Sequence, residues 1–383
     1  MSGGGKTPKR KSRIAGFVLS LATLAALAYV VIMLIMGRDL GLDRILKLFT
    51  PREKIEWADE QHFDNGRARA FANLDGAVAS AGTLGIQVIG YGGGETLRDA
   101  FRMTEPAIRA NAGRAVAFDV GGKAVRVFDA KGIAAAFDAN GAIVAASINE
   151  NGWFCVCVQD AEGYMGIVTV YDDAGKDAYR VRVANGYVLS AALSPDNRKL
   201  AILTLVDDGS KIAYYSLDSE DTGGPSYMHG GLILGIRYLP GGDVLAISTD
   251  SLVIVDSAGT GREIYGFNGK RLGGYVLDGS PIAVHLLDYG MGYNGRLVTF
   301  GDGGEQLGMI ATYREIVSMS SSAGMVAALR GDGLMLYDAA LGEIPQANRF
   351  ESATGIDKVL ALGADAVLVT GEYTAKLVLL ANG

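Results

Sequence analysis

Cysteine and histidine are scarce in this chain of 383 residues, which holds two cysteines and three histidines. The cysteines form the single motif Cys155-Val-Cys157, and residues i and i+2 of a strand lie about 6.6 Å apart, a poor distance for a disulfide. His62, His229 and His285 are scattered, and no zinc-ligand spacing follows the cysteines. We therefore expect two buried free thiols and no metal site.

Proline and charged residues are also few. There are 8 prolines and 20% charged residues, against 54 glycines and 49% hydrophobic residues. This composition is too apolar for a disordered chain and is typical of many short strands joined by glycine turns. The length exceeds that of a usual single core, so it predicts two domains or one large closed or repeating architecture.

Catalytic motifs are missing as well. The chain has no Gly-x-Ser-x-Gly elbow, no His-Glu-x-x-His helix and no paired cysteine and histidine. Acidic pairs such as Asp172-Asp173 and Asp207-Asp208 lie in predicted turns and match no calcium loop. Gly290-x-Gly292-x-x-Gly295 has the spacing of a dinucleotide fingerprint, but a predicted strand follows it where a helix N-terminus is needed. We predict no catalytic residue, no cofactor and no metal.

One long hydrophobic run is present. Residues 14–36 are uncharged and, as a helix of roughly 35 Å, are long enough to cross a membrane. A cleavable signal peptide is the rival interpretation, because Ala26-Leu27-Ala28 resembles a cleavage site, but the run continues well beyond it. Five cations precede it (Lys6, Lys9, Arg10, Lys11 and Arg13), which predicts a cytoplasmic tail at residues 1–13 and the rest of the chain outside.

The segment that follows, residues 37–66, is predicted to be a juxtamembrane spacer. Leu42, Ile45, Leu46 and Phe49 have helical spacing, so an amphipathic helix at the outer surface, a continuation of the anchor and a plain stalk are all open. Five of the 35 Lys and Arg residues lie in the tail and all 42 Asp and Glu residues follow it, which leaves a net charge near −12. Such a body repels phosphate backbones, so we predict no nucleic-acid partner.

An internal repeat occupies the rest of the chain. Apolar strands that end in a small or acidic residue recur at intervals of 37 to 46 residues, and they end at Gly90, Asp129, Asp172, Asp218, Asp256, Gly301, Asp338 and Ala381. This period is the one expected of a four-stranded propeller blade. The run "LAILTLV" after the corner "SPDN" is apolar at consecutive positions, which is typical of a strand covered on both faces.

The segments "SPDNRKLAI" and "LPGGDVLAI" resemble the Ser-Pro-Asp-Gly-x-x-Leu-Ala corner of WD40-like and TolB-type propeller repeats. The Trp-Asp ending of WD40 blades is absent, so no side-chain network is carried over from that family. The whole chain resembles an uncharacterised family of bacterial single-pass membrane-anchored β-propeller proteins.

The predicted fold is therefore all-β: one transmembrane helix and then, over residues 67–383, an eight-bladed propeller of four-stranded antiparallel blades, with seven blades as the alternative. The last repeat leaves no room for an outermost strand. Because a closed ring exposes no sheet edge, we expect residues 67–74 to supply that strand.

One face of the ring should carry the connections between the second and third strands of the blades. On this chain those connections hold large, partly apolar side chains, a type frequent at recognition surfaces, and the candidate binding residues are Tyr164, Met165, Tyr289, Met291, Tyr293 and Tyr373. Folding back of these side chains to cap the blade core is the structural alternative.

The sequence thus predicts a non-catalytic, membrane-anchored, extracytoplasmic binding scaffold that engages a protein or a cell-envelope polymer through one loop-rich face. The alternative is an extracytoplasmic hydrolase or lyase with a carboxylate or tyrosine site in the central channel. Two converging carboxylates in the channel would favour the enzyme, and an uncharged channel beneath a tyrosine-rich rim would favour binding.

Overall fold

The computed structural model describes residues 60–67, 69–161, 163–219, 224–290, 292–346, 350, 355–371 and 374–380. The predicted cytoplasmic tail, the predicted membrane span and most of the predicted spacer lie outside these residues. The regular structure of the described chain consists of thirty-one β-strands in eight antiparallel sheets.

The eight sheets are the blades of an eight-bladed β-propeller, and seven of them have four strands. Blade one contains β2 Ala70–Asn73, β3 Ala77–Gly82, β4 Gly85–Gly90 and β5 Glu95–Ala100, and blade two contains β6 Pro106–Asn111, β7 Arg114–Asp119, β8 Ala124–Asp129 and β9 Ile133–Asp138. Blade three contains β10 Ala142–Ile148, β11 Phe154–Ala161, β12 Tyr164–Tyr171 and β13 Asp177–Val183, and blade four contains β14 Tyr187–Leu193, β15 Lys199–Val206, β16 Gly209–Ser216 and β17 Ser226–His229.

The second half of the ring repeats the pattern. Blade five contains β18 Ile233–Tyr238, β19 Val244–Ser248, β20 Ser251–Val255 and β21 Gly261–Gly266, and blade six contains β22 Arg271–Val276, β23 Ile282–Leu287, β24 Gly295–Phe300 and β25 Gln306–Thr312. Blade seven contains β26 Ile316–Ser322, β27 Met325–Arg330 and β28 Gly333–Asp338, and blade eight contains β29 Ile356–Ala361, β30 Ala366–Gly371, β31 Thr374–Leu379 and β1 Glu60–His62.

Consecutive strands run up and down within each blade, from the innermost strand outwards. The connections between second and third strands, and those from one blade to the next, therefore emerge together on what we name the upper face. The connections between first and second and between third and fourth strands emerge on the lower face.

The ring is closed by β1, which pairs antiparallel with β31 as the outermost strand of blade eight, with Glu60 opposite Lys376 and His62 opposite Thr374. The prediction that residues 67–74 supply this strand is wrong, because Ala70–Asn73 forms the innermost strand of blade one. The closing strand lies instead in the segment interpreted as a spacer. That β2 contacts both β6 and β29 shows that blades eight and one are neighbours.

The second and third strands of the blades are buried on both faces. β3 and β23 are buried at every position, and β15 is buried from Leu200 to Thr204. Neighbouring blades share each apolar core; Ile247 of blade five, for example, packs in one cluster with Val284 of blade six. This two-sided cover explains the continuous apolar run predicted for "LAILTLV".

In four of the repeats an aspartate at the end of the third strand caps the turn to the fourth strand, namely Asp129, Asp172, Asp256 and Asp338. Asp172 Oδ1 accepts hydrogen bonds from the N–H groups of Ala174 and Lys176, at 3.0 and 2.9 Å. Asp256 and Asp338 accept the same pair of bonds from residues two and four positions later. The recurring sequence landmark is therefore a turn with its own carboxylate acceptor.

The corner "SPDN" joins β14 to β15. Ser194 Oγ accepts hydrogen bonds from the N–H groups of Lys199 and Arg198, at 2.8 and 3.2 Å. Asn197 has a φ of 60°, in the left-handed region that asparagine tolerates. Asn149 of the preceding blade donates to the Ser194 carbonyl at 3.0 Å, so the corner also ties two blades together.

Side-chain hydrogen bonds link neighbouring blades between residues that lie about one repeat length apart in the sequence. The Tyr214 hydroxyl donates to the Val255 carbonyl at 3.2 Å, 41 residues along the chain. Thr299 donates to the Ala339 carbonyl at 2.7 Å, 40 residues along. The repeat length is thus also the spacing of the bonds between blades.

Blade seven lacks a regular fourth strand in the described part of the chain. Residues after β28 run back along its edge, where Glu343 bridges Tyr337 and the Ile344 N–H donates to the Leu336 carbonyl at 2.8 Å. This short return segment forms hydrogen bonds with part of the β28 edge that a fourth strand would cover.

The two cysteines of β11 are free and buried, as predicted. They lie in the core between blades three and four, and the Ser147 hydroxyl lies 3.1 Å from the Cys155 sulfur. The hydrogen bond with Cys155 and burial raise the pKa of the Cys157 thiol well above its usual value.

Candidate functional site

Most of the exposed large side chains of apolar or aromatic type in the described chain lie at the upper face. They occupy its connections or the strand ends beside them: Leu84, Val120, Tyr164, Tyr187, Leu205, Met228, Leu232, Leu234, Tyr289, Tyr293, Tyr313 and Val317. Solvation does not require side chains of this kind, so their concentration makes the upper face the candidate interaction surface.

The structure divides the predicted binding residues between two blades. Tyr289 and Tyr293 lie together in the connection above blade six, 71% and 51% exposed. Tyr164, 37% exposed, and the half-buried Met165 lie at the upper end of β12, three blades away round the ring. The Arg182 guanidinium lies over the ring of Tyr164, 5.9 Å from its centroid.

Met291 and Tyr373 are the other two predicted binding residues. They lie outside the described residues, and their part in a binding face stays a prediction.

Two further exposed residues, Tyr313 and Val317, follow blade six along the chain. Gly295 of β24 pairs with Thr312 of β25, so the residues just before the first and just after the second are neighbours. The connection that holds Tyr293 therefore ends, at Asn294, beside the start of the connection that holds Tyr313, which is 72% exposed, and Val317 follows at the start of β26, 49% exposed. We name Tyr289, Tyr293, Tyr313 and Val317 the tyrosine cluster.

The tyrosine cluster is larger than the sequence predicted because the connections between blades emerge on the same face as those between second and third strands. The sequence interpretation used only the second kind. Scanning the blade-to-blade connections for exposed aromatics would have found Tyr313 in "TYRE".

Bulges shape the upper mouth of the central channel. The pairing of the first and second strands shifts by one residue near the upper end in all six blades from blade three to blade eight. The extra residues are Val144, Leu189, Leu234, Gly273, Val317 and Asp357. Bulges re-aim side chains, and here four of the six re-aimed residues are apolar.

The channel itself does not show the pattern required of a carboxylate enzyme. The eight innermost strands carry one acidic residue, Asp357, and four cations, Arg109, Arg237, Arg271 and Lys358. Arg237 is engaged at the lower end, where it donates to the Gly279 carbonyl at 3.1 Å and pairs with Asp302. These strands therefore supply no pair of converging carboxylates.

The two faces differ in charge. The described connections of the lower face hold thirteen carboxylates and three cations, and those of the upper face hold eight carboxylates and six cations. The lower face therefore repels anionic surfaces, and the upper face is nearly balanced.

A polar network lies above blade five. Asp250 Oδ1 accepts hydrogen bonds from Ser248 and Ser251, at 2.5 and 3.2 Å, and lies 3.1 Å from His229 Nε2. The bonds from Ser248 and then Ser251, together with His229, hold the pKa of Asp250 below its usual value. Both hydroxyls donate to the carboxylate and not to the imidazole, so this is not a serine–histidine nucleophile.

Cofactor and metal chemistry receive no support in the described residues. Gly295 begins a strand, β24, as predicted, so no helix N-terminus faces the glycine motif of residues 290–295. Over the same described ranges, no cluster of three or more His, Cys, Asp or Glu side chains is placed to hold a metal ion.

A cleft of about 350 Å³ opens beside the tyrosine cluster, between blades six and seven. We name it the blade 6–7 cleft, and it is lined by Leu297, Ala311, Thr312, Tyr313, Arg314, Ile316, Ala328, Arg330, Asp332 and Tyr337. Under it, buried His285 lies 3.0 Å from the Thr312 hydroxyl. Burial and the nearby Arg271 lower the pKa of His285 to about 4, so the ring is neutral at pH 7.

A second cleft of about 470 Å³ lies between blades two and three, beside the small side chains of β9. Its charged lining residues are Asp138, Asp177 and Arg180, and Arg180 pairs with Asp177 at 2.8 Å. The rings of Phe137 and Tyr171 lie on its wall with centroids 4.9 Å apart and planes tilted by 39°. None of the exposed aromatic residues of the upper face lines it.

These features define an eight-bladed propeller of the WD40-like architectural class, with exposed apolar and aromatic side chains concentrated on one face. The chain belongs to the DUF5711 family, a family of unknown function, whose model matches residues 51–268. This agrees with the resemblance to a propeller family drawn from the repeats. Comparison with curated protein sequences gave no match.

Solved propellers share the fold. The C-terminal WD40 domain of Sif2 is 12% identical, with 84% of this chain and 99% of that chain covered and a TM-score of 0.58. BamB from Moraxella catarrhalis is 16% identical, with 84% and 98% covered and a TM-score of 0.51. At these identities the likeness concerns architecture.

A membrane-crossing helix was predicted at residues 14–36, which lie outside the described residues. Within the described part of the chain, no helix has the length and apolar character needed to span a bilayer.

Proposed function

We propose that this protein is a non-catalytic binding scaffold, anchored in the membrane by residues 14–36, that presents the upper face of its propeller to a protein or cell-envelope partner outside the cytoplasm. The observation that carries this proposal is the concentration of exposed large apolar and aromatic side chains on one face. Its two most exposed residues, Tyr313 and Tyr289, belong to the tyrosine cluster. Aromatic residues and arginine are the residue types that dominate binding energy at protein interfaces.

The topology supports the proposal. β1 is the outermost strand of blade eight and runs from the lower face to the upper one, so the chain before Glu60 joins the propeller at the lower face. A tether attached there leaves the upper face free of that connection. The excess of carboxylates on the lower face also disfavours contact between that face and anionic lipid headgroups.

No observation favours the alternative as a hydrolase or lyase. That chemistry needs a pair of groups with different proton affinities that converge on one substrate. The innermost strands offer Asp357 without a second carboxylate, and the serine and histidine side chains around Asp250 are arranged as a closed polar network.

Site-specific photocross-linking of the full chain in its native membrane tests the binding face. A benzophenone amino acid at Tyr289 or Tyr313 should give one or a few defined protein or polymer adducts. The matched control is Leu307, which is 38% exposed at the lower end of β25 in the same blade. Equal adducts from all three positions, or lipid adducts alone, would show that the upper face is not the binding face.

Anchoring has its own test. The full chain should stay in the membrane pellet after an alkaline carbonate wash, and a double variant, Leu24→Arg with Val30→Arg, should be released. Each arginine at the centre of a span costs about 2.5–3.5 kcal/mol on the insertion scale. Release of the unmodified chain would refute the anchor and leave the binding face unaffected.

A further inference from the structure

We propose that the blade 6–7 cleft binds a segment of the partner protein in which a carboxylate side chain lies beside an apolar side chain. This inference rests on the proposed function, because it assigns the partner chemistry to one part of the upper face. It concerns a site of defined shape and charge.

The size of the cleft limits what enters it. Its volume of about 350 Å³ is at the lower end of the range for small-molecule sites, which suits one or two side chains of a peptide. Its inner wall is apolar, with Leu297 and Ala328 buried and Ile316 half-buried. An apolar side chain that enters the cleft is therefore removed from water without losing a hydrogen bond.

The charge at its mouth selects an anion. Arg330 holds Asp332 through two hydrogen bonds, at 2.8 and 3.0 Å, so each largely neutralises the other. Arg314 is the second guanidinium, its side chain 70% exposed, and its Nε lies 3.8 Å from the same carboxylate, beyond hydrogen-bond distance. Two cations against one carboxylate give the lining side chains a net charge of +1.

The guanidinium of Arg314 can therefore donate hydrogen bonds to an incoming carboxylate. Its contact with Asp332 is its one ionic contact among the described residues, and it makes no hydrogen bond there. A guanidinium binds a carboxylate through two parallel N–H donors, which adds geometric selection to charge. A side-chain amide of the same shape lacks this charge-assisted bond, so Arg314 distinguishes Glu from Gln.

Aromatic side chains lie where the segment must pass. Tyr313 both lines the cleft and is 72% exposed, and Tyr289 and Tyr293 continue the aromatic surface above blade six. Tyrosine offers large rigid contact area at low entropic cost. The site thus combines an apolar pocket, one available guanidinium and an aromatic rim.

The cleft between blades two and three has the opposite character. Its charged residues are two carboxylates and one arginine, and that arginine pairs with Asp177. This cleft is accordingly not expected to select a carboxylate, although it is the larger of the two.

The test uses the full chain in detergent and three fluorescein-labelled peptides as probes: Gly-Ser-Glu-Leu-Ser-Gly, the same peptide with Gln in place of Glu, and the same peptide with Ser in place of Leu. Fluorescence anisotropy should show the Glu-Leu peptide binding about tenfold more tightly than either other peptide, the effect of one charge-assisted bond or one buried side chain. Arg314→Ala should bring its affinity down to that of the Gln peptide.

The matched control is Lys123→Ala, which removes another exposed cation of the upper face, at blade two, and should leave peptide binding unchanged. Equal binding of the three peptides, or an unchanged preference in Arg314→Ala, would overturn the cleft assignment. If Tyr289 still gives its cross-linked adduct in that case, the proposed function stands and only the cleft fails. A peptide preference without any cross-linked adduct would mean that the cleft assignment stands and the proposed binding face fails.

Discussion

Ring closure depends on Phe63, the residue directly after the closing strand β1. Phe63 is 2% exposed and packs edge-on against Phe71 with ring centroids 5.2 Å apart. It lies in one apolar cluster with Val78 and Ile89 of blade one and Leu368 of blade eight. We predict that Phe63→Ala loosens the junction where the two ends of the propeller meet.

The magnitude follows from this environment. Complete removal of a buried Phe side chain costs about 3–5 kcal/mol, the sum of the lost transfer free energy and the cavity left behind. The edge-on pair with Phe71 contributes about 0.5–1.5 kcal/mol of that. The expected loss in the free energy of unfolding is therefore about 3–5 kcal/mol, a large part of the stability of a typical domain.

Urea unfolding of the full chain in detergent, followed by tryptophan fluorescence, measures this loss as a lower midpoint. The control is Tyr187→Ala, which removes an aromatic side chain that is 50% exposed and should change stability by less than about 0.5 kcal/mol. A Phe63→Ala loss below about 1 kcal/mol would show that this junction does not hold the ring together.

Three further predictions concern single side chains. Ser194→Ala removes the acceptor of two backbone N–H groups and should cost about 1–3 kcal/mol in urea unfolding, whereas Ser219→Ala should be neutral. Because the pKa of His285 is about 4 in the folded chain, against 6.5 ordinarily, stability present above pH 6.5 should be lost as the pH falls towards 4, by about 3 kcal/mol more than in His285→Gln. Cys155 and Cys157 should not react with a thiol reagent until urea unfolds the chain.

The outcomes that contradict these predictions are equally specific. Equal losses in Ser194→Ala and Ser219→Ala would mean that the corner hydrogen bonds contribute nothing net. Parallel pH curves for the parent chain and His285→Gln would mean that the ring is not held neutral. Rapid labelling of either cysteine in the folded chain would mean that the core between blades three and four opens readily.

The propeller was predictable because two local features recur along the chain. One is the doubly covered inner strand, which shows as consecutive apolar residues, and the other is the turn-capping aspartate, as at Asp172 and Asp338. The closing strand was not predictable in this way. Glu60–His62 is three polar residues long and is defined by backbone pairing with β31, so its sequence has no apolar pattern to mark it.

The candidate site was predicted in part. Tyr289 and Tyr293 followed from the phase of the repeat, because that phase decides which connections share a face. Prediction of Tyr313 required the connections between blades to be considered. Prediction of Val317 required knowledge of the bulge in β26, a backbone irregularity without a sequence marker. The charges around Arg314 come together only when two blades pack side by side.

The pairing of Glu60 with Lys376 also sets the order of events during biosynthesis. A ribosome adds roughly 5–20 residues per second, so β1 waits roughly 15–60 s for its partner to be made. Until blade eight is made, the side of blade one that carries Val78 and Ile89 also lacks its neighbours, which include Leu368. A chain released before residue 356, where blade eight begins, would keep that side bare and be a substrate for chaperones or proteases.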